Sequence, residues 1–367
     1  MKPSINNHNI WQIAPAVLIL AVYLASYIGV GVHECRAEGS KEIISFLGRE
    51  VAHPHHEQHH DEDCHHDGAC HHDGNCCHTS VISISEADNG GGNDTLSTGS
   101  KAKFTVNGKI AFGDGNNKLS VGSSATFSAG ESDVWHDVVF GDGNDTLSMG
   151  SKSMFYAEDV TLGDGNDKLT VGDSGTFTAY GIVDFGAGND TLTTESKSKF
   201  YADGGIDFGD GNNKFTVGNS AAFYTGRFSG WQDVVFGKGN DTFSTGSKSK
   251  FYAGAITLGS GNDKLSIGAS GIFIADSLDF GSGNDTLTIG DKCTKGNISF
   301  GQLDMGKGTN TWTIGAESSI IVEDLAVDSI DKFSMGKKSV LYLGADSFEA
   351  VQESSVFKKY LSQIKLA

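Results

Sequence analysis

From Gly90 to Asn310 the chain repeats one five-residue phrase ten times: Gly-x-Gly-Asn followed by Asp or Asn, with Thr309 replacing the asparagine in the last copy. The copies begin at Gly90, Gly113, Gly141, Gly163, Gly186, Gly209, Gly237, Gly259, Gly281 and Gly306, at spacings of 22 to 28 residues. A stretch that short cannot bury a core by itself. Repeated at a near-constant period, it describes a solenoid, in which each copy is one coil lying on the next.

Three large apolar residues recur at set places in each copy. Leu96, Leu119, Leu147, Leu169, Leu192, Phe215, Phe243, Leu265, Leu287 and Trp312 follow the corner, and Phe104, Phe127, Phe155, Phe177, Phe200, Phe223, Phe251 and Phe273 come eight residues later. Phe112, Phe140, Leu162, Phe185, Phe208, Phe236, Leu258, Phe280 and Met305 stand just before the next phrase. Around each anchor apolar and polar residues alternate, as in Thr146-Leu147-Ser148, which is the period of a strand with one face buried. No proline occurs after Pro54, as strands hydrogen-bonded on both edges require. The expected fold is all-β: a parallel β-solenoid, β-helix or β-roll-like, of about 10–11 turns with three short strands per turn.

Finer order lies on this frame. The residue after the Asp/Asn position alternates, Thr95, Lys118, Thr146, Lys168, Thr191, Lys214, Thr242, Lys264, Thr286. Coils stack roughly 4.8 Å apart, so alternation separates like charges by two coils. The two 28-residue spacings place related insertions at 130–138 and 226–234, carrying Trp135 and Trp231. The repeat fades near Ser329–Ser334. Asp346, with Glu349 three residues on, is placed to cap a helix whose stripe is Phe348, Val351, Phe357, Tyr360, Leu361 and Ile364. Such a cap would cover the unpaired edge of the last coil. The expected division is 1–37 signal segment, 38–80 His/Cys-rich segment, 81–344 solenoid and 345–367 capping helix.

The phrase stacks a column of carboxylates: Asp94, Asp145, Asp167, Asp190, Asp241, Asp263 and Asp285, with Asn117, Asn213 and Asn310 in the same column. Calcium takes six to eight oxygens, which two stacked corners can assemble from carboxylates and glycine-exposed carbonyls. Two carboxylates about 5 Å apart repel by roughly 1 kcal/mol even in water, so a divalent ion between coils would turn repulsion into cohesion. Asp114, Asp142, Asp164 and Asp210 add charge nearby. The competing reading is an Asn/Asp ladder hydrogen-bonded from coil to coil with no ion.

The run Phe140-Gly141-Asp142-Gly143-Asn144-Asp145-Thr146-Leu147-Ser148 resembles the haemolysin-type calcium-binding nonapeptide of RTX proteins. The resemblance spans roughly residues 88–315 and implies calcium held by the seven aspartates and their preceding glycines. The chain departs from the family in three ways. Phe, Leu or Met replaces the first glycine almost everywhere, there is one motif per turn, and an apolar N-terminal segment accompanies six cysteines.

That segment, Ile10 to Val32 after Lys2, reads as a signal peptide or signal anchor, so the chain is expected to be exported, to the cell surface or beyond, and to meet membrane only through this segment. Acidic residues outnumber basic ones, 46 to 27, which argues against nucleic acid as a partner. Between the two lies a run rich in His and Cys, including Cys64, His65, His66, Cys70, His71, His72, Cys76, Cys77 and His78. These are ligands suited to zinc, copper or nickel; a tether whose cysteines pair as disulfides is the alternative. Cys293 stands alone and reads as a spare thiol.

Function classes follow. The solenoid holds one histidine, His136, and one arginine, Arg227, and no acid–base pair breaks the repeat, so no enzyme is expected. A polysaccharide-modifying β-helix enzyme ranks last. The Thr/Lys alternation interrupts any ice-binding threonine array. Trp135 and Trp231 are candidate contacts for surface glycans, or fold back over the coil. The sequence therefore points to an exported calcium-binding solenoid acting as a structural or adhesive surface component, with other envelope components as partners. A transition-metal-binding envelope protein is the runner-up.

Overall fold

The structure, a computed structural model, describes residues 81–84, 87–88, 91–131, 134–226 and 230–367. The N-terminal apolar segment and the His/Cys-rich segment, with all its candidate ligands, lie outside the described residues. Among the described residues no helix is long and apolar enough to cross a membrane.

The chain winds into a parallel β-solenoid. The strand after each glycine corner forms the first wall, an eleven-stranded sheet from Thr95–Thr98 to Lys332–Met335. Leu147 lies level with Leu119 on one side and Leu169 on the other. The 28-residue coil therefore keeps register, because its extra residues leave the tube: the end of Thr126–Glu131 pairs antiparallel with Val134–Trp135 as a short hairpin outside the parallel walls.

The second and third walls share a 21-stranded sheet. In early coils they are separate strands, such as Lys103–Val106 and Ile110–Ala111. From Lys250–Thr257 onward, through Ile272–Asp279, Ile298–Asp304 and Ser319–Leu325, one strand runs through both walls. The expectation of three strands per turn thus holds for the first part of the array, and two replace three further on.

All three anchor columns point inward and are buried, with Leu96 at the N-terminal end only partly covered. Phe127, Phe155, Phe177, Phe200 and Phe223 stack in one file at ring separations of 5.2, 4.9, 4.5 and 4.7 Å. Burial of each such ring contributes about 2 kcal/mol, and offset stacking adds to it. The file exists because strand period and coil register both return a phenylalanine to the same point.

The C-terminal cap differs from a single helix over 345–367. Ala345–Glu353 is helical, Lys358–Gln363 forms a 3-10 turn, and Ile364–Leu366 adds a parallel strand to Val340–Leu343. Gly344, not Asp346, is the N-cap; Asp346 lies in the first turn. The helix is held instead by burial of Val351, while Phe357 and Ile364 plug the last coil and Phe348, Tyr360 and Leu361 lie partly buried against it.

Candidate functional site: the glycine corner

From Gly115 to Gly308 the corners are shaped by close approach between coils. Gly143 has φ +144°, and a Cβ built on it would lie 1.9 Å from the Gly115 carbonyl oxygen of the coil before. Only glycine fits that conformation and that gap. Its N–H donates to the Asp164 carbonyl of the coil after, at 2.8 Å.

Two side-chain ladders climb these corners in opposite directions. In the inner ladder each backbone amide donates forward to the side chain of the next coil. Asp145 donates to Asp167 Oδ1 at 2.7 Å, Asp167 to Asp190 Oδ1 at 2.8 Å, and Asp190 to Asn213 Oδ1 at 2.9 Å. The series runs unbroken from Asp94 to Asp331. In the outer ladder the neighbouring residue donates backward. The Asn166 amide reaches Asn144 Oδ1 at 2.8 Å, and Asn189 reaches Asn166 at 2.9 Å. Adjacent residues of one phrase therefore bind each coil to both of its neighbours.

The ladders differ in environment. Outer asparagines are exposed, whereas Asp145 and Asp190 are 0% exposed and Asp167, Asp241, Asp263 and Asp285 are 1% exposed. From Asp145 to Asp285 each inner aspartate uses Oδ1 in the ladder, and Asp94 joins it through its amide. The other oxygen, Oδ2, is buried with no hydrogen-bond partner in all seven: Asp94, Asp145, Asp167, Asp190, Asp241, Asp263 and Asp285.

The asparagines of the same column reveal what Oδ2 faces. Asn117 Nδ2 donates to the Gly113 and Gly115 carbonyls at 2.7 and 3.3 Å, and Asn213 Nδ2 to those of Gly209 and Gly211 at 3.2 and 3.3 Å. Register sets Asp145 one coil beyond Asn117, so Oδ2 occupies the place of a donor between carbonyl oxygens. An unpartnered carboxylate oxygen there is costly. Burial accordingly pushes the carboxyls of Asp145, Asp241 and Asp285 up to about 6, and those of Asp167, Asp190 and Asp263 up to about 7. Neighbouring carboxylates add to the rise at Asp167, Asp190 and Asp263, while the ladder amides oppose it. Asp94 is raised by burial as well. The position calls for positive charge, supplied by a proton or a cation.

Among the described residues no three His, Cys, Asp or Glu side chains converge on one point. A cation in this column would thus draw on glycine carbonyls as well as Oδ2, and that donor set is all oxygen, as calcium and magnesium prefer. Asp114, Asp142, Asp164 and Asp210 lie exposed outside the column. Three of them brace the next corner: Asp114 accepts from the Asp142 amide, Asp164 from Ala187, and Asp210 from both the amide and the ammonium of Lys238.

The tryptophans fold back. Trp135 stacks on Tyr156 and Tyr180 at 5.6 and 4.9 Å, and Trp231 on Tyr252 at 5.2 Å. Tyr252, Tyr224 and Tyr201 continue the file at 5.1 and 5.5 Å. This outward tyrosine file escaped the reading of the sequence, although its Phe-Tyr dipeptides (Phe155-Tyr156, Phe200-Tyr201, Phe223-Tyr224, Phe251-Tyr252) carried the signal. Cys293 is buried, its thiol near the Gly290 carbonyl at 3.6 Å. It takes the role that Ser153 and Ser249 play at their corners, where Oγ bonds the Gly150 and Gly246 carbonyls.

Compared with known proteins, the chain matches no family model, no curated protein and no solved structure.

Proposed function

We propose that this chain is an exported structural or adhesive surface protein whose solenoid is stabilised by calcium bound along the aspartate column. One observation carries the cation: seven buried carboxylate oxygens lack partners at the position where Asn117 and Asn213 of the same column set an amide donor between two glycine carbonyls. Asp94, Asp145, Asp167, Asp190, Asp241, Asp263 and Asp285 would hold the ions together with carbonyls of their glycine corners. Bound calcium would supply the charge that offsets stacked carboxylates. A regular tube with buried anchors and repeated corners suits a scaffold role, and the apolar stretch after Lys2 supports export.

The test is a thermal melt of the protein in excess chelator and in millimolar calcium. Ligand linkage predicts a gain of roughly 2.7 kcal/mol per site when calcium exceeds its dissociation constant a hundredfold. An unchanged melting temperature would leave the ladder without a cation and sink the calcium reading.

A further inference from the structure

The walls of the tube are segregated by charge. No strand of the first wall, from Thr95–Thr98 to Lys332–Met335, contains Asp or Glu; it carries Lys118, Lys168, Lys214, Lys264 and Lys332. The third-wall segments contain no Lys or Arg, Lys250 lying on the second-wall part of its strand; they carry Asp184, Asp207, Asp279, Asp304 and Asp324 among others. The five wall lysines are exposed, and none takes part in an ion pair among the described residues, where the pairs formed are Lys238–Asp210 and Lys338–Glu317. Between the lysines the first wall presents only Ser and Thr side chains to solvent, such as Ser120, Ser148, Thr170 and Thr193.

A β-solenoid wall is close to flat and repeats once per coil. A second copy of the same chain shares that repeat, so Asp184, Asp207, Asp279, Asp304 and Asp324 lie at whole-coil spacings that the wall lysines share, with uncharged segments such as Val138–Val139, Val160–Thr161 and Val234–Val235 between them. An unrelated acidic polymer has no such match. The two walls are different surfaces of one tube, so the contact between copies is heterologous, and a heterologous contact that does not close continues as an open array. The acidic excess of 46 to 27 makes copies repel at a distance, so orientation by the lysine wall is what brings them together.

We propose that the solenoids associate side by side, the lysine wall of one copy on the aspartate wall of the next, to give open lateral assemblies. This interaction is independent of calcium and is tested in excess chelator, so its failure and that of the calcium reading are distinct.

Analytical ultracentrifugation of the full chain should show assembly at about 0.1 M salt, where the Debye length of about 10 Å screens distant repulsion but spares contacts. The assembly should disperse at about 1 M salt, where that length falls to about 3 Å. The fourfold variant Lys118→Glu, Lys168→Glu, Lys214→Glu, Lys264→Glu should need at least about tenfold more protein to assemble, with its melting temperature retained. A variant of equal charge change placed off the wall, Lys307→Glu, Lys358→Glu, Lys359→Glu, Lys365→Glu, should assemble as the natural chain does. On the opposite wall, Asp184→Asn, Asp207→Asn, Asp279→Asn, Asp304→Asn should also lose assembly. Asparagine keeps the Oδ1 that accepts the Gly186, Gly209, Gly281 and Gly306 amides, so folding is preserved. A natural chain that stays monomeric at about 0.1 M salt, or that binds polyphosphate yet does not self-associate, would overturn the proposal. So would undiminished assembly of either wall variant.

Discussion

Asn117 and Asp145 stand on adjacent steps of one ladder and differ at a single atom. Both take the preceding coil's amide, or give their own, in the same way. Asn117 then closes its corner with Nδ2 on two carbonyls, while Asp145 turns an unpartnered oxygen into the equivalent place. Asparagine makes a corner complete on its own chemistry. Aspartate makes a corner that depends on what the solvent supplies, a proton or a cation. The column mixes three asparagines with seven aspartates over the ten phrases, so most of its length is left responsive.

The comparison can be broken outright by removing the shape on which both residues depend. Gly143→Ala places a Cβ against the Gly115 carbonyl at a φ of +144°, and should cost about 3 kcal/mol or more in a denaturant melt. A loss under about 1 kcal/mol would mean that the coils can part without consequence.

A milder break deletes the shared oxygen. Asp167→Ala leaves the Asp145 amide buried without its acceptor, at a cost of about 1–3 kcal/mol. Asp167→Asn keeps that acceptor and should not lower stability in chelator. If both variants lose the same stability there, the ladder bond contributes nothing and the orphan oxygen is irrelevant.

The responsive half of the comparison sharpens under calcium titration. Asp167→Asn and Asp263→Asn sit at the centres of Asp145–Asp167–Asp190 and Asp241–Asp263–Asp285, so each borders two gaps with an aspartate opposite. Asp94 adjoins Asn117. Calorimetry should show a fall of about tenfold in affinity, near 1.4 kcal/mol, at the two central positions and a smaller one for Asp94→Asn. Equal losses at all three would contradict the stacking argument.

Acid titrates the same oxygens. Unfolded aspartates titrate near 3.9, whereas the folded carboxyls are raised to about 6 and about 7. The folded state thus holds more protons in between, and the stability linked to these groups is complete below about pH 3.9 and is lost as pH rises through about 6 and 7. In chelator the melting temperature should therefore fall between about pH 4 and about pH 8, a slope that replacing the column's aspartates by asparagine should flatten. A melting temperature that rises across that window would contradict a carboxyl buried without a partner.

The smallest effect belongs to the exposed ladder. Asn166→Ala removes one acceptor for the Asn189 amide in contact with water, for about 0.5–1 kcal/mol by melt. A cost matching that of Asp167→Ala would erase the distinction between inner and outer columns.

Much of this is legible in the sequence. The period, the anchors Leu147, Phe155 and Leu162, the outward Thr146/Lys168 alternation and the glycine corners all follow from strand periodicity and the conformations open to glycine, which are local properties. The stacked column of aspartates is equally visible, since the phrase returns once per coil and the longer coils carry their extra residues away from the corner.

Other features depended on contacts between coils, which no single copy of the phrase contains. Asn144 and Asp145 are neighbours in sequence, yet the Asn144 amide donates to the coil before and its side chain stays in water, while the Asp145 amide donates to the coil after and its side chain is buried. That asymmetry arises because alternate residues of an extended chain face opposite sides, and the side facing the tube has no water to offer. The C-terminal cap departs from a single helix for a related reason. Helical spacing from Phe348 to Ile364 is genuine, but the open edge beside Leu341 offers backbone partners that an isolated helix never meets, and Ile364–Leu366 takes them. Sequence period decides which residues stack. Only the assembled coil decides which atom of each is left facing another coil's carbonyl, because hydrogen bonding and exclusion of water are settled between neighbours.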